Sequence, residues 1–111
     1  MKTIESPPSA ISQFACFKEK HPDLVILFTM GGYYEAFYED ALVCSELLDL
    51  PLRKREREPS HPVPLVGIPL HKGPRAFRTL QAAGYTVAIC AQAQASSGVK
   101  RDYIRILRPD E

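Results

Sequence analysis

No apolar run in this 111-residue chain approaches the roughly 20 residues that span a bilayer, and the opening Met1-Lys2-Thr3-Ile4-Glu5-Ser6-Pro7-Pro8 has no apolar signal core. A soluble, cytoplasmic protein is therefore expected, with no membrane partner. Cysteine is scarce: Cys16, Cys44 and Cys90 are odd in number, widely spaced and without a CxxC pair, each in an apolar stretch. They are expected to be buried thiols in a reducing compartment. No glycine-rich loop followed by Lys and Ser/Thr occurs, which excludes a P-loop ATP site from the sequence. His21, His61 and His71 lie beside prolines or in loops without metal-ligand spacing, so neither metal nor cofactor is expected. Glu39 and Asp40 adjoin, but neighbouring carboxylates at a helix start point apart, and Asp40 suits a helix cap better than acid/base work. With no catalytic constellation, the chain reads as non-enzymatic.

What is present suits one ordinary globular domain: 45% of residues are hydrophobic and 24% charged. A chain of this length can bury enough apolar surface to fold alone, though with a small margin. Net charge is only +1, but residues 1 to 50 carry 3 Lys/Arg against 8 Asp/Glu, whereas residues 51 to 108 carry 11 against 3. That asymmetry permits a basic face for a polyanion. On charge alone the simpler reading is that Arg53, Lys54, Arg55 and Arg57, alternating with Glu56 and Glu58, form a solvated strand edge.

Residues 1 to 8 form a leader, and Ser9 is placed to cap a helix over Ala10 to Lys20, whose stripe is Ile11, Phe14, Ala15 and Phe17. Leu24 to Phe28 is a short continuous apolar run, as expected for a strand buried on both faces. Gly31-Gly32 turns it into an antiparallel strand from Tyr33 to Tyr38. Ala41, Leu42, Cys44, Leu47 and Leu48 recur at helical spacing up to Asp49. A strand over Leu52 to Arg57 and a loop over Glu58 to Pro64 follow. Pro64, Gly67 and Pro69 confine any strand over Val63 to Leu70 to an edge or a short irregular piece. Ala76, Phe77, Leu80 and Ala83 mark a third helix, with Gly84 as its stop. Strands over Thr86 to Cys90 and Tyr103 to Leu107 flank a polar loop from Ala95 to Gly98. The expected fold is α/β: a single domain with a mixed β-sheet and about three flanking helices.

The stretch Leu27-Phe28-Thr29-Met30-Gly31-Gly32-Tyr33-Tyr34-Glu35-Ala36-Phe37-Tyr38-Glu39-Asp40-Ala41 resembles the signature of the MutS family's first domain, in which a strand and glycine precede Asp-Phe-Tyr-Glu and a helix begins near Asp-Ala. Pro64 to His71 resembles its Gly-Val-Pro-x-His segment, and Gly84 to Gln92 and Lys100 to Pro109 resemble its two closing strands. The similarity covers residues 9 to 109. It implies a module that probes double-stranded DNA for mispairs and small unpaired loops, with an aromatic wedge at Tyr33, a base-contacting carboxylate at Glu35, and DNA-backbone cations at Arg55, Arg101 and Arg105. Two residues apart on a strand, Tyr33 and Glu35 would project from one face roughly 7 Å apart.

The chain departs from the family pattern in several places. The usual wedge is phenylalanine, Gly32 stands where aspartate is common, Thr29 where arginine is common, and Ala91 where an acidic residue precedes Gln92. The family continues into a connector where this chain ends at Asp110-Glu111. The alternative is a protein-interaction or regulatory module that keeps the fold without selective mismatch binding and docks on a repair or mobile-element protein.

Overall fold

The computed structural model describes residues 10–56, 62–95 and 98–110, without the side chains of 55, 56, 62, 92–95 and 98–104. The leader, the Ser9 cap and most of the expected 58 to 64 loop lie outside the described residues. Among them, three helices flank a six-stranded mixed sheet: α1 (Ala10–Lys20), β1 (Leu24–Met30), β2 (Tyr33–Phe37), α2 (Tyr38–Leu48), β3 (Arg53–Glu56), β4 (Pro62–Pro69), α3 (Gly73–Ala82), β5 (Thr86–Ala95) and β6 (Gly98–Leu107). The strand order is β3-β4-β2-β1-β5-β6. Only β1 and β5 run parallel; the other neighbours are antiparallel. No described helix is long and apolar enough to cross a membrane.

The central strand β1 is apolar from Leu24 to Phe28 because its alternate side chains enter two separate cores. Val25 and Leu27 join Ala36, Val66, Ile68, Val87 and Ile89 beneath α2 and α3. Ile26 and Phe28 join Phe37, Leu65, Ala88 and Cys90 on the other face, beneath α1. There the Phe14 ring meets Phe28 and Phe37 edge-on, with centroids 6.3 and 5.7 Å away. Burying rings of this size stabilises by about 2–3 kcal/mol each.

The eight-residue strand β4 departs from the expectation of an edge or irregular piece: it is interior, paired with β2 on one side and β3 on the other. Its prolines survive because the two pairings barely overlap. Pro62 and Pro64 are flanked by β3 alone, and Pro69 by β2 alone, so each missing amide needs only an open side.

Asp40 is not a cap. The helix starts earlier, at Tyr38, whose φ of 54° turns the chain out of the sheet. Asp40 then sits in the first turn of α2, 2% exposed, and completes the sheet where β2 has left it. Its Oδ2 accepts the Ile26 amide at 2.9 Å, and its Oδ1 accepts Lys18 Nζ at 2.8 Å. Lys18 also donates to the Leu24 carbonyl. One carboxylate thus ties α1, β1 and α2 together.

Cys44 and Cys90 are buried as expected, but Cys16 is exposed. The helix turns Ile11, Gln13 and Phe14 inward, which carries Cys16 to the outer side. Burial, with a smaller contribution from the Asp40 charge, pushes the Cys44 thiol up to about 12, so it stays neutral and inert.

At the end of α3, Gly84 has a φ of +95°. The Gly84 amide donates to the Gln81 carbonyl at 2.9 Å and the Tyr85 amide to the Leu80 carbonyl at 3.0 Å. This is a Schellman closure, and it is why the helix stops where the sequence says it should.

Candidate nucleic-acid interface

The β1–β2 hairpin closes through two residues, Gly31 and Gly32, so Met30 and Tyr33 face one another across the ladder. Gly31 takes a φ of 58°, a conformation that glycine adopts without steric penalty. Gly32 does not need that freedom, and a Cβ there would meet nothing within 4 Å. Its carbonyl accepts the Leu70 amide at 3.1 Å, so the turn is anchored to the end of β4. Gly32→Asp is accordingly expected to raise stability by about 0.5–1 kcal/mol, because it restricts the unfolded chain without native strain. Urea denaturation of the two proteins checks this.

Antiparallel registers place side chains in rows across the sheet. Phe28, Glu35 and Gly67 form one row, and Met30, Tyr33 and Pro69 the next. Both rows lie on the α1 face, the second at its outer end. Phe28 is fully buried, Glu35 and Met30 are half-buried, and Tyr33 is 50% exposed. The Tyr33 ring leans over Gly67, where a Cβ would lie 3.4 Å from its Cδ1. By contrast Tyr34 points through the sheet to α3 and packs edge-on against Phe77 at 5.1 Å. One hairpin therefore presents a half-exposed phenol and a half-buried carboxylate from the same face.

By backbone position, the three arginines are spread along the sheet rather than set beside this pair. Arg105 is exposed and stands opposite Ile89, which belongs to the core beneath α3, so it emerges on the other face of the sheet. Arg55 pairs with Val63, six residues along β4 from the Pro69 that faces Tyr33, or roughly 20 Å of strand. Arg101 pairs with Gln92, two residues past the Phe28–Cys90 pair, which puts its backbone at the Tyr33 end of the sheet, roughly 15 Å across the strands. The side chains of Arg55 and Arg101 lie outside the described residues. Of the basic run, Arg53 and Lys54 are exposed on edge strand β3, as the simpler reading of that charge pattern has it. No cluster of three His, Cys, Asp or Glu able to hold a metal is found among the described residues.

Sequence reasoning missed the surroundings of Tyr33. Met30 could have been read from the two-residue turn, which fixes its partner. Gly67 and Pro69 could not, since they arrive by a pairing that spans more than thirty residues of chain.

A single mixed sheet flanked by three helices, with an aromatic and a carboxylate side by side at one rim, defines a small α/β module. The chain belongs to the MutS domain I family, whose model matches residues 8–109. It is 34% identical over 110 residues to the DNA mismatch repair protein MutS of Streptococcus pneumoniae (strain Hungary19A-6), an alignment covering 96% of this chain and 13% of that protein. The DNA mismatch repair protein HexA of Streptococcus pneumoniae serotype 4 (strain ATCC BAA-334 / TIGR4) matches with the same identity and coverage. The chain thus spans about an eighth of the length of these curated relatives.

Proposed function

We propose that this chain is a non-enzymatic DNA-binding module that probes duplexes for mispairs and small unpaired loops, with Tyr33 as wedge and Glu35 as its base-contacting companion. The observation that carries this reading is the half-exposed Tyr33 ring sharing one sheet face with Glu35. Membership of the MutS domain I family and the mismatch-repair names of its relatives support it.

The physics is a difference of costs. An inserted ring must unstack a base step, at a cost of about a few kcal/mol in paired DNA and less where pairing is already defective. A defective step also bends more readily, which lowers the deformation energy of a kinked complex. Near phosphates an ionised Glu35 is repelled unless it takes up a proton or accepts a base N–H, so it disfavours intact duplex most. Arg101 stands at the end of the sheet suited to flanking phosphates. Arg55 and Arg105 would meet only a duplex that runs along β4 or passes round the edge of the sheet.

Fluorescence anisotropy with homoduplex, G·T and single-base-bulge oligonucleotides tests the reading. The bulge and the G·T duplex are expected to bind more tightly than homoduplex, with affinities at about the micromolar level or weaker and falling as salt rises. Glu35→Ala is expected to strengthen homoduplex binding more than bulge binding, narrowing the ratio. Equal affinity of the wild type for all three duplexes overturns the proposal.

A further inference from the structure

On the face of the sheet turned away from Tyr33, α3 and β6 enclose an open cleft of about 550 Å³. Tyr34, Phe77 and Leu107 supply apolar lining, Pro74 forms a wall, and Arg78 and Arg105 stand at the margin. Both arginines are exposed, and neither has an ion-pair partner among the described residues. The cleft cannot close on itself: Tyr34 is held edge-on by Phe77, and its ring also fills the space above Gly73, where a Cβ would come within 2.6 Å of Cε2. The cleft thus places an apolar floor beneath two exposed guanidinium groups that have no ion-pair partner among the described residues.

We propose that this cleft docks an acidic polypeptide segment, with an apolar side chain of the segment on the Tyr34–Phe77–Leu107 floor and its carboxylates on Arg78 and Arg105. The charge complementarity is specific. Guanidinium groups take carboxylates through paired, geometrically matched hydrogen bonds, and a Leu or Phe flanked by Asp or Glu supplies both halves of the match. Duplex DNA supplies only one, because phosphates lie on a convex rod with no apolar group to fill a recess, which would leave the floor wet. The site also lies across the sheet from Tyr33, so a duplex held at the hairpin leaves it open. This proposal does not depend on the function assigned to Tyr33, and it gives Arg105 a ligand other than a DNA backbone.

The test is titration of the 15N-labelled protein with three probes: a blocked hexapeptide Glu-Glu-Leu-Phe-Glu-Glu, a blocked hexa-glutamate, and a homoduplex oligonucleotide. The mixed peptide is expected to shift the amides of Arg78, Gln81, Arg105 and Leu107, and to bind at least tenfold more tightly than hexa-glutamate. Arg78→Glu and Arg105→Glu should each weaken it at least tenfold, whereas Lys54→Glu, on the far edge strand, should not. The spectra themselves report that the variants remain folded. Absence of shifts at the cleft, equal affinity for hexa-glutamate, or displacement of the peptide from the cleft by homoduplex would each overturn the proposal. Loss of mismatch preference at Tyr33 would leave it untouched.

Discussion

Tyr33→Ala is expected to bind a single-base-bulge duplex no more tightly than homoduplex. An aromatic side chain stacked on a base contributes about 1–3 kcal/mol, which corresponds to a five- to more than hundredfold change in affinity. That gain is realised only where the ring can enter the stack, so its removal lowers bulge affinity and leaves homoduplex affinity, set by phosphate contacts, nearly unchanged. Tyr33→Phe should keep the preference, because the stacking area is retained and the hydroxyl no longer needs a partner. Half of Tyr33 is solvent-exposed in the free protein, so the alanine variant should unfold within about 0.5–1 kcal/mol of wild type. Anisotropy titration and urea denaturation on the same samples separate lost recognition from lost fold. If the alanine variant keeps the wild-type ratio of bulge to homoduplex affinity, the wedge assignment fails.

The second large effect is on stability. Asp40→Ala removes the acceptor of the Ile26 amide and the anion beside Lys18 in one step, and is expected to cost about 3 kcal/mol, a large share of the stability of a domain this small. Asp40→Asn should cost less, because its amide oxygen can still accept from Ile26. The wild type also has a pH signature. Burial raises the Asp40 carboxyl above its ordinary 3.8, although Lys18 and the Ile26 amide pull it down. A group whose pKa is higher in the folded than in the unfolded chain holds its proton more tightly when folded, so its titration favours folding at acid pH. That contribution is lost as pH rises from 3.8 through the folded value. The stability of wild type relative to Asp40→Asn is therefore expected to decline over that window, as urea midpoints measured from pH 4 upward will show. A difference that grows with pH would mean that the ion pair outweighs burial.

The fold was legible wherever one local rule acted alone. The continuous run Leu24 to Phe28 read as a strand with two buried faces, and Gly31-Gly32 as its turn. Gly84 closed α3 by a capping pattern that needs nothing beyond a few neighbours in sequence. Expectations failed where tertiary partners altered the rule. Pro64 and Pro69 looked like edge residues because sequence does not reveal that β2 and β3 cover different parts of β4. Asp40 looked like a cap because nothing local announces the Ile26 amide and Lys18. The candidate site divided in the same way. Tyr33 and Glu35 were singled out by the family resemblance and strand periodicity then puts them on one face, whereas the scatter of Arg55, Arg101 and Arg105 along the sheet depends on strand order, which no local pattern carries.

The hydrogen bond from the Leu70 amide to the Gly32 carbonyl joins residues nearly forty positions apart. Closing a segment of that length carries an entropic penalty that the hairpin by itself never meets. An excised peptide running from Leu24 to Tyr38 would therefore possess the aromatic and the carboxylate but not the strand that steadies them. Aim is thus a property of the assembled sheet, and it should appear and vanish cooperatively with the fold rather than with the hairpin.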